Sequence, residues 1–170
     1  MTLAQLNALD EARFVALLGA VFEESPWVVR RAWQRKPFAS VESLFQALAD
    51  EVLQATAEEQ LALIRAHPDL AGKEAGGGRS AAESSSEEDR LGFLNLDRSH
   101  FERMAELNRR YRQRFGFPCI VALKLHASRA SVMAEMRRRL GNQADAERAN
   151  ALEQLGHIAR GRLDRVISGS

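Results

Sequence analysis

The chain is 170 residues long, 45% apolar and 28% charged, with 24 basic and 23 acidic residues and a formal net charge of +1. That length and apolar content suit one domain over residues 1–170 with a sizeable core, and the charge balance excludes the basic excess of a nucleic-acid binder. A single cysteine excludes an intramolecular disulfide framework, and no apolar run approaches the ~20 residues that span a bilayer.

The N-terminus reads as an amphipathic segment rather than a signal peptide, and Ile167 to Ser170 is no peroxisomal tripeptide. The expectation is a cytoplasmic protein with neither a nucleic-acid nor a membrane partner. Along the chain the helical period dominates. Phe14, Leu17, Leu18 and Val21 fall at i, i+3, i+4 and i+7 of a helix starting near Asp10. Ser25-Pro26 reads as an N-cap with proline at the first helical position, opening a short helix that Pro37 stops. Ser40 caps the next stripe, Val41, Leu44, Phe45, Leu48 and Val52. Thr56 and Glu59 form a capping box for a short helix carrying Leu61 and Ile64.

That helix delivers the chain to Arg65-Ala-His67-Pro68-Asp-Leu-Ala-Gly-Lys73. A residue before proline is pushed out of the helical conformation, so His67 is held where a helix ends. The stretch from Ala71 to Ser84 has no apolar side chain larger than alanine and contains Gly76-Gly77-Gly78, which reads as a mobile loop. Ser84-x-x-Glu87 and Ser85-x-x-Glu88 are two overlapping capping boxes that place the next helix start at Ser84 to Ser86. A long helix from about Ser99 to Phe115 follows, with Phe101, Met104, Asn108, Tyr111 and Phe115 along one side and Gly116 as its left-handed stop. Phe117 to Leu123 is an apolar run with no partner strand elsewhere, read as a buried extended segment or helical turn. Ser131 to Leu140 and about Gln143 to Ile167 complete an all-α, single-domain bundle of about seven to eight helices. The arginines at 109, 110, 112 and 114, and at 137 to 139, read as solvated helix faces.

Four places could carry chemistry. His67 can exchange protons near neutral pH; otherwise it caps the preceding helix. Glu87 can face a pocket at a helix start whose N–H groups attract anions; otherwise it simply caps. The extended run after Phe117-Pro118 can offer backbone donors to a planar, amide-rich ligand, or be plain core. Arg162 falls on the apolar face of the last helix with Leu152, Leu155, Ala159 and Val166, where a charge needs an anionic partner unless it snorkels to the edge. No histidine lies at metal-ligand spacing from His67, so no metal is expected.

The combination F-V-A-L-L-G-x-V-F-E-x-S-P-W (14–27), H-P-D-L-A-G-K (67–73), S-x-x-E (84–87), L-N-x-x-Y-x-x-R-F-G-F-P (107–118), R-R-L-G-N (138–142) and I-A-R-x-R-L (158–163) spans nearly the whole chain. It resembles the 2-oxo-4-hydroxy-4-carboxy-5-ureidoimidazoline (OHCU) decarboxylase family of urate degradation. The resemblance implies an all-α homodimer without a cofactor, acting on a small molecule to give (S)-allantoin. It implies His67 as the catalytic proton-transfer residue, assisted by Glu87. Substrate contacts fall to Pro68, to Ser84, Ser85, Ser86, Glu87 and Glu88, and to Cys119, Ile120, Val121, Ala122 and Leu123. From the helix-face argument, Arg162 joins them as an anchor for the substrate carboxylate or for a partner acid. The chain departs from the family at Glu88, where a glutamine is usual, and at Cys119, where an aromatic residue is usual. A competing reading, a non-catalytic all-α interaction module, expects an exposed apolar groove instead of a polar site at His67. A hydrolase acting one step earlier in the same pathway, on 5-hydroxyisourate, is disfavoured because that activity goes with a β-rich fold.

Overall fold

A computed structural model describes residues 1–71 and 82–167, with the side chains of 82–85 excluded. Among these residues the architecture is all-α. The helices are α1 (Leu3–Asn7), α2 (Glu11–Leu18), α3 (Pro26–Trp33), α4 (Val41–Gln54), α5 (Ala57–Arg65), α6 (Ala82–Arg90), α7 (Arg98–Phe115), α8 (Arg129–Arg139) and α9 (Ala144–Val166), with 3-10 turns at Phe93–Asn95 and Leu123–Leu125. Nine helices among the described residues exceed the seven to eight expected. The first comes from a capping box, Thr2 with Gln5, that closes only five residues of helix.

The chain packs as two compact units, one of residues 1–66 with 156 onward, the other of residues 67–155. In the first, α2 packs on α3 and α3 on α4. Phe14, Leu18, Val28, Val29, Leu44, Leu48, Leu63 and Ile64 are buried, joined by Ala159 and Leu163 of α9. Phe14 stacks on Phe38 with ring centres 6.1 Å apart. The expected caps at Ser40 and Thr56 are present, and Asp10, near which α2 was expected to start, caps that helix; each accepts a hydrogen bond from the third helical N–H. Ser25 departs from expectation. It precedes α3, but its hydroxyl donates to the Glu23 carbonyl at 2.8 Å and caps nothing.

In the second unit, Met104, Leu107 and Tyr111 of α7 are buried, with Val132, Met133 and Met136 of α8 and Ala151 and Leu155 of α9. Tyr111, Phe115 and Phe117 form an aromatic cluster with ring centres 4.6–5.9 Å apart. Gly116 ends α7 at φ 77° and its N–H returns to the Arg112 carbonyl, as the sequence suggested. Two expectations fail here. The helix carrying the serines already runs from Ala82, so Ser84 and Ser85 lie inside α6 and not at its start. Arg139 is 1% exposed, although it closes a run of three arginines read as a solvated face; the other two are exposed. The Gly76–Gly78 loop lies outside the described residues.

Candidate active site

Helix α5 forms because Thr56 and Glu59 answer each other's backbone N–H groups and Leu63 and Ile64 anchor it in the core. It stops at Arg65, with Ala66 as C-cap, because Pro68 bars helical geometry at His67. His67 and Pro68 are half-buried and followed by the buried Leu70 and Ala71. The turn after them is tied down. Asp69 receives the Arg112 guanidinium at 3.0 Å, and Asn108 Nδ2 donates to the Leu70 carbonyl at 2.8 Å. Ala71 adopts φ +52°, a left-handed conformation uncommon for a residue with a Cβ.

The second unit also contains α6 and the run 119–123. Glu87 is half-buried and pairs with Arg90 at 2.7 Å. The same guanidinium donates to the carbonyls of Leu123 and His126, at 2.9 and 3.0 Å, so Arg90 links Glu87 to the end of the apolar run. Glu88 points inward, 6% exposed. Burial pushes its carboxyl above the ordinary range, partly offset by the Ala71 N–H that donates to it. Ser86 is exposed, and the side chains of Ser84 and Ser85 lie outside the described residues.

Cys119, Ile120, Val121, Ala122 and Leu123 are all buried. The run is free of helix and strand up to Ala122, which is extended, and then makes the 3-10 turn, within the extended segment or helical turn read from sequence. Its backbone groups are held by side chains from elsewhere in the unit. Ala122 N–H donates to Gln154 at 2.8 Å and the Ile120 carbonyl accepts from Arg139 Nη1 at 2.6 Å. Arg139 Nε pairs with the fully buried Glu147 at 3.0 Å, which also takes the Tyr111 hydroxyl and the amides of Asn142 and Asn150. Burial pushes Glu147 up, but these hydrogen bonds and the Arg139 charge outweigh it and hold the carboxylate below its usual range. Burial raises the Cys119 thiol to about 12, so at neutral pH it is unionised, with no thiolate to react.

Arg162 lies in the first unit, 7% exposed. The anion its position called for is Glu23, at 2.7 Å, with further bonds to the carbonyls of Ala20 and Val21. The sequence reading passed over Arg90, Gln154 and the Arg139–Glu147 pair. The last had a signal: Arg139 continues Val132 and Met136 at i, i+4, i+7, the buried face of α8. A cleft of about 700 Å³ in the second unit is lined by Arg90, His100, Arg103, Arg129 and Arg137. It includes none of the sequence-predicted site residues and is not the apolar groove an adaptor would need.

Comparison with known proteins agrees with the resemblance carried by the sequence motifs. The chain is 40% identical over 168 residues to the OHCU decarboxylase of Haloferax volcanii, covering 99% of this chain and 97% of that one. It is 37% identical over 166 residues to that of Halalkalicoccus jeotgali, with 98% and 92% covered. Its fold resembles a crystal structure of (S)-allantoin synthase at 26% identity and a TM-score of 0.79, over 98% of this chain but 54% of that longer one. The OHCU decarboxylase family model matches residues 7–164, and the chain belongs to that family.

Proposed function

We propose that this chain decarboxylates OHCU to (S)-allantoin without a cofactor, with His67 as the residue that moves the proton. The observation that supports this most is the placement of His67: half-buried, just past the end of α5, on a turn braced by α7. Family membership supplies the substrate. OHCU carries a carboxylate and a hydroxyl on one ring carbon beside a conjugated C=N. When the C–CO2 bond breaks, its electron pair forms a carbon–carbon double bond and displaces the imine electrons onto nitrogen, which takes a proton. The hydroxyl then loses its proton to become a carbonyl, and the neighbouring carbon gains one. Carbon dioxide leaves and one proton replaces it. The substrate is its own electron sink, so the protein has only to hold the ring, turn the carboxylate out of its plane and deliver the proton to one face.

His67 serves the hydroxyl or the enol, a general acid–base contribution of roughly 10²–10⁴-fold. Glu87, oriented by Arg90, polarises the imidazole or the hydroxyl. Pro68 and the 119–123 run form the wall against the ring and ureido group, with α6 residues 84–87 beside them; Glu88, which the resemblance also assigned to the substrate, is turned to the Ala71 N–H instead. Arg162 keeps its tie to Glu23, and its share in holding the substrate carboxylate rests on residue type alone. The working form in this proposal is a cytoplasmic homodimer, which light scattering on the purified protein checks directly. Freshly generated OHCU, followed by circular dichroism, tests the activity. The protein should speed the loss of OHCU and yield (S)-allantoin; racemic allantoin at the uncatalysed rate overturns the proposal.

A further inference from the structure

The turn behind His67 is gripped at one peptide group. Asn108 of α7 donates Nδ2 to the Leu70 carbonyl at 2.8 Å. The N–H of the same peptide unit, that of Ala71, donates to Glu88 of α6. In a trans peptide these two groups point in opposite directions, so two helices hold the unit from opposite edges. Asn108 and Glu88 are 7% and 6% exposed. Ala71 sits at φ +52°, a conformation that persists where the surroundings over-determine it.

We propose that Glu88 and Asn108 are positioning residues, which clamp the Leu70–Ala71 peptide to fix the turn that carries His67. The inference rests on the role given to His67 above.

Burial raises the Glu88 carboxyl above its ordinary range, and the Ala71 N–H partly offsets it. On its own helix Glu87 is paired with Arg90, and Asp89 is exposed. On the turn, Asp69 is paired with Arg112 of α7, and His67 lies three residues before the clamped peptide. No charged side chain among the described residues acts on Glu88, whose carboxyl feels burial and the Ala71 N–H. Its Oε2 is buried with no hydrogen-bond partner there. A glutamine has the same shape and keeps a side-chain oxygen that can accept from the Ala71 N–H.

The test uses the full chain and two readouts, steady-state kinetics with OHCU and hydrogen exchange at the Ala71 amide. Glu88→Ala and Asn108→Ala should each lower kcat by on the order of 10- to 10²-fold, the scale of a misplaced catalytic group, with little change in KM. Both should speed Ala71 exchange while α5 and α9 stay protected. Glu88→Gln, which keeps an acceptor for the Ala71 N–H, should hold kcat and Ala71 exchange near wild type. A rise in KM with kcat intact in Glu88→Ala makes Glu88 a substrate contact and overturns the proposal. So does unchanged Ala71 exchange in Asn108→Ala, or a loss of kcat in Glu88→Gln with Ala71 exchange unchanged, a variant that keeps the test decisive if Glu88→Ala fails to fold. The exchange readout judges the clamp without reference to turnover. If wild type does not act on OHCU, the function assigned above is what fails.

Discussion

A guanidinium enclosed by protein needs its N–H groups answered, and Arg139 is answered by Glu147, the Ile120 carbonyl and, at 3.4 Å, the Tyr111 hydroxyl. Removing one partner of a buried pair strands the other charge. Arg139→Ala should therefore cost about 3–5 kcal/mol, read from denaturant unfolding, and should loosen the 119–123 run. The pH dependence has a definite sign. Glu147 is held below its ordinary range, so its contribution is complete above about pH 4.3, the unfolded-state value, and is lost as pH falls through the depressed folded value. Glu147→Gln should flatten the acid limb of unfolding free energy against pH; an unchanged limb contradicts the account. At this scale the sequence was partly readable. His67 was visible because its proline neighbour fixes it locally. Arg139 and Glu147 belong to different helices, and a three-arginine run looks solvated until its register with Val132 and Met136 is counted.

Helix boundaries were most legible where a cap is purely local. Thr56 and Glu59, Ser40, Asp10 and Gly116 each act within one turn, and each falls where the sequence placed a helix boundary. Gly116 gives a simple check. At φ 77° any Cβ is disfavoured by roughly 1–2 kcal/mol, so Gly116→Ala should lower unfolding free energy by about that amount. No loss would mean that α7 does not need a left-handed stop. The α6 boundary was misread because its serines satisfy the capping pattern twice while the helix starts at Ala82. Glu87 and Glu88, freed from capping, go to Arg90 and to the Ala71 N–H. Nothing in a four-residue pattern reveals that competition, since both partners lie outside it.

For the molecule as a whole, the 3.6-residue period was enough for an all-α class, and the apolar run 117–123 was rightly kept out of a sheet because no second strand was available to pair with it. The division into two compact units was not legible, because α9 is one uninterrupted helix that contributes to both. Function was readable from motif order over most of the chain, and the family match over residues 7–164 agrees.

The central claim is that one imidazole past the end of α5 performs the proton transfer. His67 is half-buried and outside any helix, so His67→Asn should unfold like wild type. The decisive measurement is the single-turnover rate of OHCU decarboxylation by that variant, with far-ultraviolet circular dichroism confirming its helices. The account predicts a loss of roughly 10²–10⁴-fold and allantoin that is no longer of one hand; a folded His67→Asn protein with wild-type rate and stereochemistry would contradict it.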